Sequence, residues 1–141
     1  MQKLTREESL AFLVARPRTG KLATVRKDSR PHVAPIWFDL DRDTLVFTTW
    51  HTSVKAANLR HNPVASLCVD DEAPPFAYVI VEGTVTFCDD LDELRRWATR
   101  IAGRYMGAEL AEAFGQRNGV PGELLCRLTP NRIIGHTGIT D

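Results

Sequence analysis

Ser53 and Lys55 stand two positions apart at the start of a short helical run, directly after a strand-like stretch from Leu45 to Thr49. A helix N-terminus leaves backbone N–H groups unpaired and carries a partial positive charge, so it can hold an anion. A hydroxyl and an ammonium in the same turn add a second donor and a full charge, the ingredients of a phosphate cradle. The chemistry this predicts is capture of a phosphorylated small molecule. Ser53 has a competing role as the helix N-cap, and the two roles are compatible. Lys55 without the surrounding pattern would read as a solvated surface lysine.

The elements around that corner follow from local pattern. Thr5-Arg6-Glu7-Glu8 has the form of a capping box, which predicts a helix over 6–15 that stops before Pro17. A strand from Gly20 to Arg26, a turn at Lys27-Asp28-Ser29-Arg30 and a second strand from Pro31 to Asp39 predict a β-hairpin. Leu40 to Asp43 read as a turn, Thr44 to Thr49 as a third strand, and 53–61 as a helix that Asn62-Pro63 ends. Val64 to Val69 and Phe76 to Phe87 follow as strands, with Gly83 marking a bulge or sharp bend. Leu91, Leu94, Trp97, Ile101 and Tyr105 recur at helical spacing up to Gly107, and Ala108 to Gln116 add a second helical piece. A final strand pair, Glu123 to Leu128 and Arg132 to His136, closes the order. Without regular alternation of strands and long helices, a doubly wound sheet is excluded. The expected fold is mainly β: a six-stranded antiparallel split β-barrel with a few short helices, in a single domain over 1–141.

Composition narrows the partners. The formal net charge is zero, which argues against nucleic-acid binding through a broad basic face. No apolar run approaches the roughly 20 residues that span a bilayer, and the first residues lack a signal-peptide core, so the expectation is a cytoplasmic protein without a membrane partner. Cys68, Cys88 and Cys126 lack C-x-x-C spacing and read as buried reduced thiols. His51, His61 and His136 show no metal-ligand spacing, and no metal is expected. The neutrality is uneven: residues 1–70 carry 11 Lys/Arg against 7 Asp/Glu, and residues 71–141 the reverse. Arg16, Arg18, Lys21, Arg26, Lys27 and Arg30 form the densest basic cluster, either a solvated rim or a landing strip for an acidic ligand tail.

Three segments then match a known pattern in the right order: Asp28-x-Arg30-Pro31-His32-Val33-x-Pro35-x-Trp37-Phe38, Ser53-x-Lys55-x-x-Asn58-Leu59-Arg60-x-x-Pro63, and Tyr78-Val79-x-Val81-Glu82-Gly83. With the order of elements, they resemble the pyridoxamine 5′-phosphate oxidase-like split β-barrel superfamily over roughly residues 5–136. The variant looks like its actinobacterial flavin/deazaflavin oxidoreductases, many of which use coenzyme F420 in place of FMN. The resemblance implies a homodimer with two cofactor sites at the subunit interface, each lined by both chains. It implies a ring over the strand from Val33 to Trp37, where Val33, Pro35, Ile36 and Trp37 would form an apolar shelf. It also implies a phosphate on Ser53 and Lys55, and a cofactor tail facing Asn58 and Arg60.

Thr48 and Thr49 offer hydroxyls near the phosphate end, although Thr is also an ordinary strand residue. His32 lies beside the expected ring and is a candidate proton donor, with a structural role competing. No residue is an unambiguous catalytic acid. Glu82 is expected to pair with Arg26 or Arg30, and Trp50 and Trp97 to pack in the core or an interface. The oxidase carries an arginine where this chain has Val54, and Arg132 and His136 do not reproduce its C-terminal substrate motif, so pyridoxamine phosphate oxidation is not expected. The expected function is F420-dependent reduction of a small unsaturated organic molecule. The alternatives are FMN-dependent oxidoreduction, a non-catalytic coenzyme carrier or sensor, and haem handling, for which no histidine is placed as an axial ligand.

Overall fold

A computed structural model describes residues 1–141. A two-residue strand β1 (Gln2–Lys3) leads into helix α1 (Arg6–Ala15). The capping box forms as its sequence demands: Glu8 N donates to Thr5 Oγ1 at 3.1 Å, and Thr5 N donates to the Glu8 carboxylate at 2.8 Å. Strands β2 (Gly20–Val25) and β3 (Pro31–Ile36) make the expected hairpin, pairing Leu22 with Ala34 and Thr24 with His32. Then come β4 (Asp39–Asp41), β5 (Thr44–Trp50), α2 (Val54–His61), β6 (Val64–Asp71), β7 (Ala77–Cys88), α3 (Leu91–Met106), α4 (Ala111–Asn118) and β8 (Glu123–Thr137). No helix is long and apolar enough to cross a membrane.

All eight strands belong to one antiparallel sheet in the order β3-β2-β6-β7-β8-β5-β4, with β1 added to β8. The mainly β class is as the sequence predicts, but six strands were expected. Residues 40–43 are not a simple turn: β4 pairs with β5, and the reversal tightens onto Arg42, whose φ of 59° lies in the left-handed region. The final strand pair is one 15-residue strand running through Pro130. The register with β7 shifts there: Glu82 and Gly83 face Arg132 and Pro130, leaving Asn131 as the extra residue of a bulge on β8. Gly83 is required there, because a Cβ would come within 2.0 Å of the Thr129 carbonyl oxygen.

Alternation sorts the side chains into two layers. Leu22, Leu45, Phe47, Leu67, Val69, Val79, Val81 and Leu128 point inward with Leu13 of α1 and Phe38, forming the main core. A smaller cluster of Val46, Leu125, Leu94, Trp97 and Ile101 packs α3 onto the outer face of β5 and β8. Arg127 ties this layer together, donating to Asp41 at 2.7 Å and to Glu93 at 2.6 Å. Burial works against its charge, but those two carboxylates outweigh it and raise its pKa. Cys126 is buried, Cys68 and Cys88 only partly, and all three are free thiols.

The sheet path ends on β3 at one side and β4 at the other. Because β4 pairs only with residues 44–46, the same edge of β5 from Phe47 onward lacks a strand neighbour. The barrel is therefore split between β3 and the second half of β5. A bare edge invites mispairing, and Pro31 and Pro35 blunt it by removing two backbone donors from β3.

Candidate functional site

Helix α2 rises from the end of β5, at the split. Ser53 is its N-cap, extended at φ −65° and ψ 158°, and its Oγ accepts from Ala56 N at 3.1 Å. Thr49 Oγ1 shares a 2.7 Å hydrogen bond with the same Oγ. Deeper along the helix, buried Asn58 donates through Nδ2 to Thr24 Oγ1 at 3.0 Å, which fastens α2 to β2. Side-chain hydrogen bonds thus tie the N-terminal half of α2 to β5 and β2.

A cavity of about 270 Å³ occupies the split. Pro35, Ile36 and Trp37 line it from β3 and the residue after it, Thr48 from β5, and Lys55 from α2. Ala98, Ile101 and Asn118 close it from α3 and α4. Lys55 is the only cation of this lining, and no carboxylate comes within 4.0 Å of its ammonium. A basic groove of about 510 Å³ runs along the other side of the α2 N-terminus, where Arg26, Lys27 and Arg30 meet Thr52, Ser53 and Val54. Arg30 is paired with Asp28 at 2.8 Å, whereas Arg26 and Lys27 make no ion pair.

Five of the ten sequence-predicted cofactor residues (Pro35, Ile36, Trp37, Thr48 and Lys55) therefore converge on one cavity, and Ser53 and Asn58 border the adjoining groove. The rest do not join them. Val33, which shares a face of β3 with Pro35, is 66% exposed outside the cavity, and Ile36, 7% exposed, meets both the cavity and the main core. Thr49 is buried and committed to Ser53. Asn58 borders the groove with its side-chain N–H committed to Thr24. Arg60 lies on another face of α2, donating to the His51 carbonyl at 2.7 Å and stacking over Phe87. Glu82 pairs with Arg132 at 3.8 Å, its register partner on β8, and not with Arg26 or Arg30.

The basic cluster of residues 16–30 is likewise divided. Strand β2 separates its two halves by about 20 Å, at roughly 3.3 Å per residue. Arg16, Arg18 and Lys21 meet Asp70 and Asp71 at one end. Burial pushes the Asp71 carboxyl upward, but hydrogen bonds and charge from Arg18 and Arg16 outweigh it and hold it below its ordinary value. Only Arg26, Lys27 and Arg30 reach the groove.

Two titratable groups complete the picture. His32 points inward beside Thr24, and its Nδ1 is buried without a hydrogen-bond partner. Burial first, then the charges of Arg26 and Lys55, hold its pKa below the ordinary histidine value, so it is neutral at pH 7. Glu123, at the start of β8, was not singled out by sequence. Burial raises its carboxyl above the usual range, against the opposing pull of the Thr48 hydroxyl and the Lys55 charge. Its only sequence signal is a glutamate two residues before a run of buried strand positions.

This lining fits a flat ligand with an anionic end: an aromatic wall at Trp37, an unpaired ammonium, a capped helix start, and strand edges with unpaired backbone groups. Against known proteins, the profile of the family described as pyridoxamine 5′-phosphate oxidase matches residues 6–137. An F420H2-dependent biliverdin reductase of Mycobacterium tuberculosis is 33% identical over 101 residues, covering 70% of this chain and 71% of that protein. A solved structure described as an F420 reductase superposes with a TM-score of 0.70 at 27% identity, over 87% of this chain and 94% of the other. The fold is also that of a conserved hypothetical protein from Mycobacterium tuberculosis, with a TM-score of 0.83 at 24% identity over 96% and 86% of the two chains.

Proposed function

The chain belongs to the pyridoxamine 5′-phosphate oxidase family, and from that membership we propose that it is a cytoplasmic, homodimeric oxidoreductase that uses reduced F420 to reduce a small unsaturated organic molecule. Its relatives support a flavin-type coenzyme and oxidoreductase chemistry. The observation that carries the finer reading is the convergence of Lys55, Thr48, Pro35 and Trp37 on one cavity in the barrel split. F420 is favoured over FMN because the Arg26–Lys27–Arg30 groove continues past the helix start, as a long anionic tail requires. The relative named for biliverdin reduction supports a conjugated substrate.

In this reading Lys55 and the α2 N-terminus hold the anionic group, and Ser53 keeps that helix start in place. Trp37 and Pro35 orient the ring and keep water from one face. Ala98 and Ile101 close the back of the cavity. When bound, the coenzyme supplies the hydride. His32, neutral at pH 7, leaves the electrostatics of the site to Lys55 and the helix.

The test is titration of the purified protein with F420 and with FMN, followed by turnover of conjugated substrates with the reduced coenzyme. F420 is expected to bind more tightly than FMN, and Lys55→Ala to weaken binding about 10- to 100-fold, the worth of a charge-assisted hydrogen bond. Tighter binding of FMN would give the FMN-dependent alternative, and equal affinities for wild type and Lys55→Ala would remove the anion-site assignment. A second reading, a coenzyme carrier, is favoured by one observation: among the cavity residues Lys55 alone is titratable, so no carboxylic acid or histidine lines it as a proton donor. Tight binding with no turnover across the substrate panel would establish the carrier.

A further inference from the structure

Trp37 is the aromatic wall of the cavity, yet it stands just past the end of β3, where no strand pairing fixes it. What fixes it lies on α3. The Tyr105 ring stacks on Trp37 with centroids 5.1 Å apart and planes within 3° of parallel. The Tyr105 hydroxyl accepts from Phe38 N at 3.3 Å and donates to the Arg18 carbonyl at 2.8 Å. The β2–β3 hairpin is thereby held at its two open ends, at the residue after Trp37 and at the segment before β2. Arg104 completes the clamp by donating to the Phe38 carbonyl and, at 3.3 Å, to the Arg16 carbonyl. Both backbone polar groups of Phe38 are thus taken by two consecutive side chains of the last turn of α3.

Near-parallel planes with centroids 5.1 Å apart make an offset stack, and the two hydrogen bonds of the Tyr105 hydroxyl pin its ring in that geometry. We propose that Tyr105 is a positioning residue for the site: it sets the plane of Trp37 so that the indole presents a fixed flat surface to a planar conjugated ring in the barrel split. Arg104 acts with it by fixing Phe38. The role rests on the proposed function, since it needs a planar ligand in that cavity, but Tyr105 itself acts on the ligand only through Trp37.

A double-mutant cycle on the full-length protein tests it, with F420 and FMN affinities read by fluorescence and folding checked by near-ultraviolet circular dichroism and Tm. Tyr105→Leu and Trp37→Leu are each expected to weaken coenzyme binding about three- to ten-fold, the worth of an oriented aromatic contact. The double variant is expected to lose no more than either single one, because both remove the same surface. Tyr105→Phe restores the ring without its hydroxyl and is expected to recover part of the loss. A structural role alone would lower Tm in Tyr105→Leu and leave the affinity unchanged, which overturns the proposal, as would losses that multiply in the double variant. Should Tyr105→Leu fail to fold, the same cycle with Tyr105→Phe decides, with a loss that vanishes in the Trp37→Leu background as the supporting result. Wild-type protein that binds neither coenzyme would instead defeat the proposed function, and this role with it.

Discussion

Two basic clusters sit at opposite ends of β2, and they are spent differently. At the Gly20 end, Arg16, Arg18 and Lys21 face Asp70 and Asp71, and Arg18 is well shielded, with only 13% of its side chain exposed. At the Val25 end, Arg26 and Lys27 have no carboxylate partner, and Lys55 beyond them has none either. The first cluster answers its own charge and ties β2 to β6. The second leaves positive charge unanswered beside a helix N-terminus. Sequence density of basic residues does not separate these cases; the location of the acids does.

Each cluster can be perturbed on its own. The largest effect is expected from Asp71→Ala, which strands two guanidinium groups and should cost about 1–3 kcal/mol of stability without touching coenzyme affinity. Denaturant melts and a coenzyme titration of the same variant check both halves of that statement. The sign with pH follows from the lowered pKa of Asp71: its contribution is present above the ordinary carboxylate range and is lost as pH falls through the folded-state value. Wild type should therefore lose stability in acid faster than Asp71→Ala does.

A smaller effect is expected from Arg26→Ala with Lys27→Ala. Together they should weaken F420 binding about three- to ten-fold at low salt and hardly at all in 1 M salt, with Tm unchanged. Salt-independent loss would place the tail elsewhere. The smallest concerns Glu123. Its raised pKa means that the folded state favours the protonated form, so it is stabilising below the ordinary glutamate value and becomes a liability as pH rises through the folded-state value. Glu123→Gln should thus raise Tm slightly at neutral pH, and the gain should disappear in acid. The same change removes a competing charge near Lys55 and should tighten anion binding modestly.

Local signals were legible and distant ones were not. The Thr5–Glu8 box and the Ser53 cap each depend on residues three positions apart, and both formed where the sequence placed them. Gly83 was readable as a bulge because nothing but glycine tolerates so close a backbone approach. Period-two alternation already separates Val33 and Pro35 from His32 and Ile36, so the pattern shows that the four shelf residues do not share one strand face. The last two strands read as a pair because their continuity through Pro130 depends on a bulge at Asn131 opposite Glu82 and Gly83, a pairing no local pattern shows. The back wall of the cavity was hidden for a related reason. Ala98 and Ile101 look like ordinary core positions of an amphipathic helix, and only packing on β5 brings them to the split. Asp71 and Glu123 acquire meaning through partners that no spacing rule connects.

A crystal structure with F420 bound would show directly whether the barrel split is the coenzyme site. The coenzyme's anionic group is expected within hydrogen-bonding distance of Lys55 Nζ at the start of α2, with its ring against Trp37. A coenzyme seated on the Arg16–Arg18–Lys21 patch, with the barrel split left empty, would contradict it.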